Sequence, residues 1–287
     1  SIVNGMMYMR GVPADYDQWR QSGLSGWSYA DLLPYFKRAE GAKHRDGPYH
    51  GTNGPLKIEE SVNFGVIDKA FIKAAIAAGH TQLNDFNAYD RTGVGRSDST
   101  VSRGVRQSSA IAYLKKGSKN LKVLTHRHIS KIVFDHKRAI GVETINGEFI
   151  QARREVIVCQ GAFGTPHLLM LSGLGPADHL ISHGINPIVN LPGVGENLAD
   201  HVDIPMQYAS DRMDLSHARF QRLDKAAGLM GRWLVNGSGP GGGALFSSIL
   251  FHAFDDPKQP ELQVFMTPMI FDENFRDGQK EISPLLH

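Results

Sequence analysis

Residues 155–176, EVIVCQGAFGTPHLLMLSGLGP, constrain the fold more than any other part of the chain. Val156, Ile157, Val158 and Cys159 form a short β-branched apolar run, the pattern of a strand buried on both faces. Gly161, Ala162 and Gly164 then leave almost no side-chain bulk for the turn that follows. Thr165 is placed to cap a helix, Pro166 suits its first position, and the spacing predicts a helix over residues 167–172 that stops at Gly173. A strand, a bare turn and a helix N-terminus leave unpaired N–H groups facing outward, an arrangement that takes a dinucleotide or its phosphates. On these residues alone, plain close packing of strand and helix explains the turn at least as well.

A chain of 287 residues, 41% of them hydrophobic, is long enough for a sizeable core and two domains. Its 31 glycines suit an α/β protein with many tight turns. The net charge of +2 selects no partner, and the absence of a basic run with interleaved aromatics excludes nucleic acid. The one cysteine rules out an intrachain disulfide and fits a reducing compartment, so a cytoplasmic location is expected, with peripheral membrane association left open. Cys159 is expected to be inert core, a catalytic thiol being the lesser alternative. No apolar run in these residues is long enough to span a bilayer, and no signal peptide is expected.

Elsewhere the pattern predicts helices over residues 13–21 and 28–40, the second opened by Ser28-x-x-Asp31 and interrupted at Pro34. Ile67, Phe71, Ala74, Ala75 and Ala78 share a helical face that Gly79 closes. Residues 84–104, rich in Gly, Asp, Asn, Ser and Thr and without period, read as a long loop of the functional kind. Further helices are expected at 110–116, closed by Gly117, at 177–183, closed by Gly184, and within the helix-prone 216–235. From residue 120 strands are expected at LKVLTHR, HISKIVFD, AIGVETI and FIQARREVIV, with Asn146-Gly147 as a two-residue hairpin turn. Leu262, Val264 and Met266 alternate as in a half-buried antiparallel strand.

Several polar residues invite a functional reading. Asn4-Gly5 allows close backbone approach and offers a donor and an acceptor to a heterocycle edge, although the methionines that follow also suit a core strand. Arg106 is placed either for a phosphate or for a surface ion pair. His50 reads as a surface loop residue, and His126 and His128 as exposed strand residues without a third metal ligand. His201, with Asn197 and Asp200, reads as part of a local bend.

GAFGTPHLLMLSGLGP resembles the second signature of the glucose–methanol–choline (GMC) family of FAD-dependent oxidoreductases. SIVNGMMYMRG at residues 1–11, GVRQSSAIAYL at 104–114 and LPGVGENLADH at 191–201 resemble further segments of that family, in its order. The resemblance implies an α/β (α+β) fold: a FAD-binding domain of the glutathione-reductase type with a β-meander, plus part of an antiparallel-sheet substrate domain. It assigns residues 1–203 to the interior of the FAD domain, with 41–104 as inserted lid and substrate-edge loops, and 204–287 to the start of the substrate domain. The N-terminal Rossmann unit and the region carrying the catalytic histidine are then expected outside this chain, continuous with it or as separate chains.

Carried over residue by residue, Ser1, Asn4, Gly5 and Met7 contact FAD, Ile129 meets the adenine through its backbone, and Gly161 and Ala162 lie beside the adenosine. Val3 stands where some relatives carry a histidine linked to FAD, so binding is expected to be non-covalent. No catalytic residue and no metal ligand is assigned within the chain. The implied activity is oxidation of a small primary alcohol to its aldehyde, with O₂ or a quinone as electron acceptor. A lyase or decarboxylase on the same fold, and a non-catalytic fragment, are the alternatives. Choline would require an aromatic cage with a carboxylate, for which Trp233, Phe246 and Phe251 are available.

Overall fold

The computed structural model describes residues 4–114, 117, 119–208, 212, 220, 222–244 and 246–268. Ser1, Val3, Lys115, Lys116 and most of residues 209–221 lie outside them. In chain order the helices are α1 (Pro13–Gln21), α2 (Tyr29–Ala39), α3 (Val66–Ala77), α4 (Gly161–Leu171), α5 (Ala177–Ser182) and α6 (Leu223–Asn236). The longer strands are β1 (Gly93–Arg96), β2 (Ile129–Asp135), β3 (Arg138–Thr144), β4 (Phe149–Gln151), β5 (Ser248–His252) and β6 (Leu262–Phe265). The chain divides into two compact units, Ser1–Ser118 with Met206–His287, and Lys119–Pro205. No helix among the described residues is long and apolar enough to cross a membrane.

The first unit is built on a four-stranded sheet in the order β6, β5, β1, Gln82–Leu83. β5 is antiparallel to both of its neighbours, setting Ile249 opposite Phe265 on one side and Gly95 on the other. Side chains alternate across a strand, so the buried run of β5 splits between two cores. Leu250 joins Val94 and, from α3, Ile72 and Ala75 on one face. Ile249 and Phe251 join Phe86 on the other, where Met7 and Met9 pack against them. The N-terminal loop therefore lies on the sheet face opposite α3.

Two expectations about this unit need correction. Residues 84–104 are not one long loop, because Gly93, Val94, Gly95 and Arg96 form the interior strand β1. A Cβ on Gly95 would overlap the Leu83 carbonyl oxygen and one on Gly93 the Thr81 carbonyl oxygen, so the close parallel neighbour demands glycine. Those glycines also erase the alternation by which a strand announces itself. The buried face of α3 carries Asp68, Ile72 and Ala75, whereas Ala74 and Ala78 are exposed. Asp68 turns that face inward because its carboxylate is satisfied there, accepting from Ser248 Oγ at 2.8 Å and from the Gly65 N–H at 2.8 Å.

α1 and α2 form where the sequence places them. Ser28 and Asp31 cap α2 reciprocally, and the helix runs on through Pro34 without interruption. The pair packs through Tyr16, whose ring meets those of Trp19, Tyr29 and Phe36. The expected helix at 110–116 appears as a five-residue π-helical turn, Ala110–Leu114.

In the second unit β2, β3 and β4 form an antiparallel meander in the order β4, β3, β2. Asn146-Gly147 does turn the chain, but Thr144 and Glu148 close a three-residue loop in which Gly147 adopts a φ of 80°. α4 packs against β2. The contact is tied by Ser172, whose hydroxyl accepts the Ile132 N–H at 2.8 Å and donates to the Leu168 carbonyl at 2.6 Å. Leu174–Gly175 and Val189–Asn190 pair in parallel, and α5 between them buries Leu180.

The run at residues 156–159 is not a buried strand. Ile157 is 75% exposed and Cys159 is exposed, so the thiol is not core. Among the described residues no strand pairs with this run, and an apolar strand without lateral partners has nothing to bury against. LKVLTHR likewise forms no strand, and Leu121, Val123 and Leu124 are exposed. α4 begins at Gly161, earlier than expected, and continues through Pro166. Thr165 does not cap it from outside but accepts the Gln160 N–H at 3.2 Å from within the second turn.

Candidate cofactor site

Residues 4–10 are held from both sides. On one side Tyr8 N–H donates to the Asp98 carbonyl at 2.9 Å, Met7 bridges to Ser99, and the Met6 carbonyl accepts the Thr100 N–H at 2.8 Å. On the other, the Asn87 side chain accepts the Arg10 N–H at 2.8 Å and donates to the Tyr8 carbonyl at 3.0 Å. Asn4 Oδ1 accepts the Met6 N–H at 2.9 Å, which tightens the turn and holds Met6 at a left-handed φ of 62°. A Cβ on Gly5 would stand 3.1 and 3.3 Å from two ring carbons of Phe246. Phe246 in turn meets Phe265 of β6 edge to face, ring centres 4.3 Å apart. A bare backbone, an amide and two aromatic rings thus adjoin, with Asn4 and Gly5 exposed and Met7 half-buried. Such a surface suits a flat heterocycle.

Beneath this loop lies an ion network that sequence reasoning missed. His50, expected on the surface, is 5% exposed. Its Nδ1 lies 3.0 Å from Glu40 Oε1 and its Nε2 2.6 Å from Asp85 Oδ2. Glu40 Oε2 accepts from Arg10 Nη2 at 2.5 Å and from the Gly51 N–H at 2.8 Å. Nearby, Asp98 accepts from Arg45 at 2.9 and 3.0 Å and lies 2.8 Å from His44 Nε2. Burial opposes the charge on His50, but Asp85 and Glu40 outweigh it and raise the imidazole to about 9. Burial likewise opposes ionisation of Asp85 and Asp98, and their cationic partners still hold both carboxyls below the ordinary range. A Cβ on Gly51 or Gly54 would overlap backbone of residues 37–40, so this loop is pressed onto the end of α2.

In the second unit Ile129 opens β2, the strand against which α4 packs, and Gly161 and Ala162 are exposed in the first turn of α4. Gly161 has a φ of 80° with open space where a side chain would stand. That turn has no side-chain cap and no acidic residue, so its backbone donors are unshielded toward an anion or a polar heterocycle. Ser1 lies outside the described residues. His201 is exposed and its N–H donates to Asp200 Oδ1 at 2.8 Å, while His126 and His128 are exposed. Trp233, Phe246 and Phe251 form no common cage. Trp233 donates to the Gly104 carbonyl, and Phe251 meets Phe86 with the Arg91 guanidinium 5.4 Å over its ring.

The GMC oxidoreductase family model matches residues 1–203. The chain belongs to the GMC oxidoreductase family. The oxygen-dependent choline dehydrogenase of Pectobacterium atrosepticum is 38% identical over 290 residues, covering 98% of this chain and 52% of that protein. That of Brucella ovis is 38% identical over 274 residues, covering 94% and 50%. The chain spans about half the length of these relatives. Among solved structures, a formate oxidase has a TM-score of 0.80 at 24% identity, covering 93% of this chain and 53% of its own, a likeness of fold. A FAD-dependent oxidoreductase from Chaetomium thermophilum has a TM-score of 0.79 at 28% identity, covering 87% and 47%. The N-terminal domain of GMC oxidoreductases binds FAD. Taken unit by unit, the exposed Asn4-Gly5 backbone beside Phe246 in the first fits a flat heterocycle, and the uncapped backbone donors at Gly161 and Ala162 in the second fit a polar or anionic group.

Proposed function

We propose that the intact protein oxidises a small primary alcohol to its aldehyde with non-covalently bound FAD. The observation that carries this reading is the seating of the 4–9 loop directly on the β5–β6 sheet, Gly5 against Phe246 and Phe246 against Phe265. The segment assigned to the flavin and the sheet assigned to the substrate domain thereby share one surface. In this reading Asn4, Gly5 and Met7 face the flavin, and Ile129, Gly161 and Ala162 face the adenosine; Ser1, assigned to FAD by the resemblance, lies outside the described residues. Residues 1–203 belong to the FAD domain, with 41–104 as its inserted loops, and 204–287 begin the substrate domain.

When bound, FAD supplies the acceptor for the hydride that leaves the carbinol carbon. The chain's own contribution is to orient and to exclude water: Asn4 presents an amide to a heterocycle edge, and Met7, Met9, Phe246 and Phe265 supply apolar surface beside it. No histidine of this chain is assigned as the proton acceptor; His50 and His44 are committed to carboxylates. Since Trp233, Phe246 and Phe251 have separate partners, we assign the broader class of primary alcohols and not choline. The test is the visible spectrum of the intact protein. Oxidised flavin absorbance that primary alcohols bleach under anaerobic conditions is expected. Absence of flavin, or flavin that no alcohol of a broad panel reduces, overturns the assignment.

A further inference from the structure

His50 lies at the centre of an ion network that the proposed reaction does not use, yet both arms of that network end on the cofactor loop. One arm runs from His50 through Glu40 to the Arg10 side chain, which also donates to the Tyr49 carbonyl at 2.7 Å. The other runs through Asp85, whose Oδ1 accepts the Asn87 N–H at 2.8 Å, and the Asn87 side chain then grips the backbone of Tyr8 and Arg10. A neutral imidazole has one N–H and can donate to only one of two carboxylates. Both ring nitrogens face carboxylate oxygens, at 3.0 and 2.6 Å, so the geometry is that of an imidazolium bridging them. Asp85 and Glu40 act on His50 directly, Arg10 pairs with Glu40, and Arg45 acts on Asp85.

We propose that His50 is a positioning residue for the cofactor loop, fixing residues 8–10, and through them the Asn4–Gly5 turn, in the place the flavin requires. This rests on the assignment of Asn4, Gly5 and Met7 to the flavin. With the bridge intact, the two carboxylates are neutralised and their other bonds point at the loop. Without it, a buried carboxylate is left short of a partner and the loop backbone loses one of its two supports. The bridge, held to about pH 9 by its partners, also gives flavin binding an alkaline limit.

The experiment measures flavin dissociation from the intact protein by absorbance, as a function of pH, for wild type, His50→Gln and Asp85→Asn, with the unfolding midpoint of each apoprotein recorded alongside. Wild type is expected to bind flavin with an affinity that falls as pH rises past about 9. H50Q, folded, is expected to bind about tenfold more weakly or worse, as loss of an outer-shell partner does, and without the alkaline fall. D85N is expected to shift that fall to lower pH, since His50 has lost one of the anions that keep it protonated. A folded H50Q with wild-type affinity and pH profile overturns the proposal. Where H50Q does not fold, an unshifted alkaline limb in D85N overturns it. Wild type without flavin at any pH removes the cofactor assignment itself, a result distinct from both.

Discussion

Gly5 is the residue at which the site is least tolerant. A methyl group there would press on the Phe246 ring at 3.1 Å, and that ring would have to shift against Phe265, which it meets edge to face with ring centres 4.3 Å apart. Gly5→Ala is therefore expected to lower flavin occupancy of the purified intact protein severalfold, with at most a few degrees' change in its melting temperature. Retention of full flavin absorbance would show that the loop gives way at no cost. Asn4-Gly5 was singled out through the family resemblance, since by residue type alone the same pair also suits a tight turn or the start of a core strand. His50 was not. Its partners Glu40 and Asp85 are 10 and 35 residues away in sequence, and nothing in a single chain of letters ties a histidine to carboxylates at such distances. That Gly51 and Gly54 are pressed onto the end of α2 is likewise visible only in the fold.

At the scale of elements, legibility followed the locality of the forces. α1 and α2 carry their own instructions, a proline at the first position of α1 and a reciprocal Ser28–Asp31 cap on α2, and they form where these signals place them, although α2 is not broken at Pro34 as read. α3 was read with its apolar face displaced, because a buried Asp68 bonded to Ser248 outweighs the alanines. β1 was invisible because glycines serve a close neighbour there and leave no apolar rhythm. Residues 156–159 failed in the opposite sense: the rhythm of a strand is present, but strands need partners. Cys159, the single cysteine, reports on this segment. The thiol of the chain as described is expected to react with a maleimide nearly as fast in native buffer as in denaturant. If the run is paired in the intact protein, labelling there slows by orders of magnitude; equal rates in both would leave the segment open throughout.

The network under the loop gives the molecule one pH response. His50 has a folded-state value of about 9, above its ordinary 6.5, so its contribution to stability is fully present below pH 6.5 and is lost as pH rises through about 9. Asp85 and Asp98 are depressed below 3.8, so their contribution is present above that value and disappears as pH falls through their folded values. The urea midpoint of the intact protein is therefore expected to plateau between these limits and decline on both sides. A midpoint still rising beyond pH 9 would contradict the bridged imidazolium. The core beneath the loop also joins distant stretches, since Met7 and Met9 rest on Ile249 and Phe251. During synthesis Met7 and Met9 cannot take up this packing until Ile249 and Phe251 have also been made. A chain cut short before residue 249 is accordingly expected to leave the 4–9 loop without its floor and open to proteolysis there.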